Sequence, residues 1–169
     1  MNIISLFLEK VKDGICKITG TQEATCPECG KVMRSHGRCL RYVIFPYVGR
    51  LVFSLRVFFC RDCHRYHREL PDFIIPYKHH CVETYAEIYD KEPNELECEV
   101  DEKTIRRIRA WVTAFMKTGA ATIQRLRLEH PTLMTDYDAG STLGTLKYFV
   151  KAVANSNEWK FTSSPLLTG

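Results

Sequence analysis

Two hydrophobic periods divide the chain. Between residues 41 and 59 the period is two. Residues 41–47 and 51–59 are rich in Val, Ile, Phe and Tyr, and Val48-Gly49-Arg50 between them supplies a turn, so the pair predicts a β-hairpin. Leu51, Phe53, Leu55, Val57 and Phe59 share one face of the second strand, and Val52, Ser54, Arg56 and Phe58 share the other. Pro71 and Pro76 bracket a stiff connector, because proline fixes φ and biases its predecessor towards extended geometry. From residue 77 onward the period is helical. A helix is expected over 80–91, stopped by Pro93. A short one follows over 94–99 with Asn94 as cap, and a third runs from its cap Asp101 through Lys117. Ile105, Ile108, Val112 and Phe115 recur at helical spacing and face the core, leaving Arg106, Arg107 and Arg109 outside the stripe. Further helices are expected over 120–129, ended by Pro131, and over 143–154. Residues 1–20 read as a short amphipathic helix ending near Gly14 or Gly20, and 159–169 as irregular. There is no internal repeat and no low-complexity tract.

Composition narrows the class. The 169 residues are 45% hydrophobic and 26% charged, which is globular and sufficient for one ordinary domain or two small ones. The first residues, MNIISLFLEK, lack the basic leader and small-residue cleavage site of a signal peptide, and no apolar run is long enough to span a bilayer. The expectation is a cytoplasmic protein with no membrane partner. In that compartment thiols stay reduced, so eight cysteines call for an explanation other than disulfides.

Four of the eight form two Cys-x-x-Cys pairs, CPECG at Cys26–Gly30 and CRDCH at Cys60–His64. A Cys-x-x-Cys turn presents two thiolates to one point, and two such knuckles joined by a hairpin close a tetrahedron suited to zinc. Cys26, Cys29, Cys60 and Cys63 are therefore the expected ligands of one structural Zn²⁺. A thioredoxin-like redox site fits less well, since that motif is single and lies at a helix start after a strand. His64 is an alternative fourth ligand and His67 a weaker one. His36 and Cys39 lie between the pairs and read better as strand or loop residues. His79 and His80 read as a surface pair, and Cys16, Cys81 and Cys98 as small apolar core residues. The expected fold is thus α+β: a small zinc ribbon, a β-hairpin with two knuckles, followed by an all-helical, helix-turn-helix-like region. The expected divisions are 1–20, 21–76, 77–130 and 131–169.

Charge changes the picture again. Residues 31–68 carry nine Lys/Arg against one acid, residues 82–102 nine acids against one Lys, and residues 103–130 seven Lys/Arg against one acid. Two basic surfaces could meet one polyanion, with an acidic segment between them that is free for a protein partner. The stretch from Cys98 to Trp111 resembles the turn and recognition helix of a helix-turn-helix, with Lys103, Thr104, Arg106, Arg107 and Arg109 as groove or phosphate contacts. Arg34, Arg38, Arg41 and Arg56 of the hairpin are the matching candidates on the other surface.

The order of cysteine pairs, proline connector and basic helix resembles the N-terminal region of insertion-sequence transposases of bacteria. More closely, several motifs resemble an uncharacterised family of small bacterial proteins, common in Firmicutes and catalogued as a domain of unknown function. They are Cys26-Pro27-Glu28-Cys29-Gly30, His36-Gly37, Cys60-Arg61-Asp62-Cys63, Leu70-Pro71-Asp72-Phe73-Ile74-Ile75-Pro76-Tyr77-Lys78 and Thr104-Ile105-Arg106-Arg107. The resemblance covers roughly residues 24–115 and implies zinc binding in a mobile-element setting. Transposase chemistry itself is not expected. It needs three carboxylates on an RNase H-like sheet, and the segment after Lys117 offers only Glu129, Asp136, Asp138 and Glu158, with Asp136-x-Asp138 reading as a capped turn. No phosphate-cradling loop or nucleophile elbow is present, so no enzyme and no small-molecule substrate are expected. The functional expectation is a zinc-stabilised DNA-binding protein, an accessory or regulator of a mobile element. A protein-interaction adaptor and an RNA-binding zinc ribbon are the alternatives.

Overall fold

Asp13 and Gly14 turn the chain with φ of 52° and 73°, the paired left-handed conformations of a type I′ hairpin. That turn makes residues 1–20 β structure instead of the expected helix. The computed structural model describes residues 1–129 and 140–162. Six strands come first: β1 (Asn2–Ile4), β2 (Phe7–Lys12), β3 (Ile15–Gly20), β4 (Arg34–Phe45), β5 (Gly49–Cys60) and β6 (Arg65–Pro71). Helices α1 (Val82–Asp90), α2 (Glu102–Glu129) and α3 (Thr142–Asn155) follow, with a short α4 (Trp159–Thr162).

The strands form one mixed sheet in the order β1-β6-β5-β3-β2, with β4 against the other side of β5. β5 is the organising strand. Along one edge it pairs antiparallel with β4 over nearly its whole length. Along the other it pairs parallel with β3 at Val52–Ser54 and antiparallel with β6 at Val57–Cys60. The expectation of a small ribbon is overturned here. The hairpin exists, but its strands are 12 residues each, about 40 Å at the usual rise, and they sit inside a six-stranded sheet.

The burial of β5 also departs from the single apolar face expected. Phe53 and Leu55 are buried on one face, then Phe58 and Cys60 on the other. The two faces serve two cores. The large one joins Phe53, Leu55, Val43 and Leu70 to the helices through Ile74, Val82, Ile88, Val112, Phe115 and Val150. The small one holds Ala24, Cys26, Met33, Phe58 and Cys60.

The helix-turn-helix expectation is overturned with the ribbon. Residues 91–101 separate α1 from α2, far more than the 3–4-residue turn of that motif, and they contain a 3₁₀ turn at Pro93–Glu95 in place of the helix expected over 94–99. Asp101 does cap α2, accepting from the Thr104 N–H at 3.0 Å. The helix then continues through Gly119 to Glu129, where a break and a second helix had been expected. Gly119 serves packing: a Cβ there would lie 2.6 Å from the Phe149 ring of α3. Ile105, Ile108, Val112 and Phe115 face the core as the periodicity requires, joined by Trp111, whose ring stacks on Phe115. The turn expected at Asp136-x-Asp138 and the tail beyond Thr162 lie outside the described residues. Among the described residues, no helix is long and apolar enough to cross a membrane.

Candidate metal centre and basic surface

The first knuckle hangs on a bridge between Thr25 and Val32. Within it the Cys26 N–H donates to Lys31 O and the Gly30 N–H to Cys26 O, both at 2.8 Å. The second knuckle is the β5–β6 connection, closed by the pair Cys60 and Arg65. Gly30 and His64 hold the same place, four residues after the first cysteine, and both are left-handed, with φ of 70° and 53°. His64 therefore serves the turn, a conformation that histidine tolerates better than most side chains.

All four sulfurs lie within 4.8 Å of one another, so Cys26, Cys29, Cys60 and Cys63 could hold one metal ion. Sγ–Sγ separations are 4.0 Å for Cys26–Cys63 and 3.6 Å for Cys29–Cys60. A tetrahedron with thiolate arms of about 2.3 Å has edges of about 3.8 Å. Cys26 and Cys60 are buried, Cys63 is half-buried and Cys29 is exposed. The Cys63 N–H, foremost, holds the Cys60 thiol below its usual value. Burial pushes Cys26 up, and hydrogen bonding to Cys29 pushes Cys63 up.

His67 was read from sequence as a weaker alternative ligand than His64, yet it is buried with Nε2 3.6 Å from Cys26 Sγ. Cys26, Glu28 and His67 form a second group able to hold a metal ion. The signal for it was register: His67 pairs with Phe58, whose side chain lies in the small core beside Cys26. The remaining candidates take structural places. His36 is the extra residue of a β4 bulge and packs on Tyr66, with centroids 4.6 Å apart. The Cys16 thiol donates to Glu9 and is pushed up to about 12, by burial first. Cys81 begins α1 against Thr84, Cys98 is buried, and His79 stacks on Tyr42.

The basic candidates fall into two groups. Four guanidinium groups are bound within the fold. Arg56 donates to Glu69 from Nε at 2.7 Å and Nη2 at 2.6 Å, and to Gly20 O at 2.8 Å. Arg38 holds Ser54 Oγ at 2.8 Å and the carbonyls of Ile18 and Ser54. Arg41 holds the carbonyls of Ile75 and Lys78. Arg109 reaches back from α2 to the last turn of α1, donating to Ile88 O at 2.9 Å and to Lys91 O. The second group is at the surface. Arg34, Lys103, Arg106 and Arg107 are exposed, Arg106 with a loose 3.8 Å pair to Glu102. Thr104 is spent on the α2 cap, its hydroxyl donating to Asp101.

Acidic side chains of 82–102 find partners inside the chain. Glu83 pairs with Lys147 at 3.0 Å, and Lys91 bridges Glu87 and Glu97 at 3.4 and 3.1 Å. Asp90 accepts from the Thr142 hydroxyl. The positive groups, by contrast, gather. Arg41 is held below its usual value by burial and then by the nearby Arg68, and Lys78 by burial and then by Arg107 of α2.

No curated protein and no solved structure matches the chain. Residues 26–108 match the family described as Domain of unknown function (DUF6431), a span that opens on Cys26, takes in all four clustered cysteines and closes within α2.

Proposed function

We propose that the four thiolates hold one structural zinc ion, and that the protein binds nucleic acid, with DNA as the polyanion. The zinc reading is supported by the all-thiolate donor set, the tetrahedral spacing of its sulfurs and the lack of an open position for substrate. The small core of five buried residues is too slight to hold two knuckles without a metal. Metal analysis should give one zinc per chain, and Cys60→Ser should release it and unfold that end of the sheet. A folded, metal-free wild-type protein would overturn the zinc reading.

The observation that carries the binding reading is the meeting of the two basic segments. Arg41 and Arg68 line one groove of the sheet, Arg41 donates to the Lys78 carbonyl, and the Lys78 ammonium lies 4.8 Å over the ring of Trp111, one turn along α2 from Arg107, although up to 66 positions separate these residues in sequence. Polyanion binding through such a surface is strongly salt-dependent, because each neutralised phosphate releases counterions. With about four phosphate contacts, the slope of log K against log salt on duplex DNA should be about −3 to −4. Arg107→Glu should weaken binding and flatten that slope by about one unit. Absent or salt-insensitive binding would sink the reading. An accessory role to a mobile element belongs to the proposal through the cysteine motifs alone. A protein partner on 82–102 has less support, since Glu83, Glu87, Asp90 and Glu97 are already engaged.

A further inference from the structure

Beside the converging arginines lies a groove of about 730 Å³ at the middle of the long hairpin. Its walls come from Met1, β4, β5, β6 and the loop before α1, and no carboxylate side chain lines it. Arg41, Arg68 and His79 supply its positive and donor groups, and Tyr42, Tyr66 and Tyr77 its rings. Among the described residues no carboxylate pairs with Arg41 or Arg68.

The tyrosines are placed in a way that packing does not require. Tyr66 is 60% exposed and Tyr77 74% exposed. Tyr66 extends an aromatic row along the same sheet face, packing on Phe59 at 4.9 Å and on His36 at 4.6 Å. The bulge at His36 lets that ring reach the row. Tyr77 is held with φ of 62°, a left-handed conformation costly to a bulky ring. Two carbonyls that flank it in the chain, those of Ile75 and Lys78, are pinned by Arg41. Strain fixed by a neighbouring side chain, at an exposed aromatic residue on a positive groove, is the kind that accompanies a binding site.

A duplex offers phosphates but keeps its base faces stacked. An unpaired strand offers both, and every base has a face for a tyrosine ring. We infer that this groove binds single-stranded nucleic acid, with bases stacked on Tyr66 and Tyr77 and phosphates held by Arg68, Arg41 adding its positive charge from the groove wall. The inference rests on the nucleic-acid reading above and names the form of the polyanion. DNA and RNA strands share the chemistry that the groove recognises.

Fluorescence anisotropy on the full, metal-loaded chain tests it, with labelled mixed-sequence oligonucleotides about twenty long as single-stranded DNA, single-stranded RNA and duplex DNA. At least one single strand should bind about tenfold or more tighter than the duplex. Tyr66→Leu and Tyr77→Leu should each weaken single-strand binding about five- to 150-fold and leave duplex binding unchanged. Tyr77→Phe should retain it. Tyr77→Leu is the safeguard on folding, since its ring is the more exposed of the two. Arg68→Ala should weaken strands and duplex alike. Equal or tighter binding of the duplex, with Tyr77→Leu silent on strands, would overturn this inference and leave the nucleic-acid reading standing. Binding to none of the three would overturn both.

Discussion

Arg56 is where the sequence and the fold make opposite demands, and one substitution separates them. As a hairpin arginine it was a candidate nucleic-acid contact. In the fold its guanidinium makes a two-toothed pair with Glu69, a carboxylate 1% exposed, while Arg56 keeps 20% of its side chain exposed. Arg56→Met keeps the stem and removes the charge. Glu69 would then be left with the Gly20 N–H at 3.1 Å as its one remaining donor. Leaving a buried charge without its partner costs about 3–5 kcal/mol, and the partial exposure of Arg56 puts this pair near the lower end. At about 2–4 °C per kcal/mol, the midpoint of thermal unfolding should fall by roughly 6–16 °C. Adding Glu69→Leu should restore most of the loss, because an apolar pair removes both charges from the interior. Gly20→Ala should strain the same site, since its Cβ would lie 2.7 Å from Glu69 Oε1. Circular dichroism melts and strand-binding titrations are run on the same preparations. An Arg56→Met protein that melts like wild type but loses nucleic-acid affinity would refute this reasoning and make Arg56 a ligand contact.

Two further predictions concern the joints between elements. The Asp101 carboxyl is held below the usual carboxylate range, by the Thr104 hydroxyl first and the Thr104 N–H next. A depressed folded value means that the stabilisation is complete above the unfolded value of about 3.9 and lost as pH falls through the folded one. The gap in melting temperature between wild type and Asp101→Ala should therefore close on acidification, and parallel curves would contradict the cap. Asn155 ends α3 and holds the outer edge of β1, accepting from the Ile3 N–H at 2.7 Å and donating to Ile3 O at 3.0 Å. Asn155→Leu strands both backbone groups and should cost about 1–3 kcal/mol in denaturant unfolding, with no loss of metal.

What the sequence made legible followed from spacing. The four cysteines come together as their two Cys-x-x-Cys pairs imply, and the core stripe of α2 follows its period. What it hid were residues with two local meanings. Half of residues 1–20 are apolar, but most are crowded before Lys12 without a single clean period, and the Asp13-Gly14 turn was the deciding signal, which a helical reading passes over. The break expected after Lys117 spans Gly119, whose reason, the Phe149 ring, lies on α3. The arginines were hardest. A basic residue reads alike whether it meets phosphate or a backbone carbonyl, and only tertiary structure reveals that Arg38, Arg41, Arg56 and Arg109 already have partners. The same ambiguity applies to the tyrosines, whose exposure depends on which sheet face the helices cover.

The switch of buried face along β5 ties the metal centre to the groove. Cys60 ends the strand as a candidate ligand and Phe58 lies in the small core, while Val57 lines the groove on the opposite face. β6 pairs with β5 only over Val57–Cys60, and the partners in that register include Tyr66 and Arg68. Four residue pairs, one of them at a cysteine of the cluster, thus hold two groove side chains in place. With so short a ladder, the knuckle that joins β5 to β6 also sets their alignment. A metal bound by Cys60 and Cys63 would close that connection, and so would act on the groove through register without touching its contents. The cysteine cluster and the basic surface, which sequence places in separate segments, are in the folded chain two ends of one strand pair.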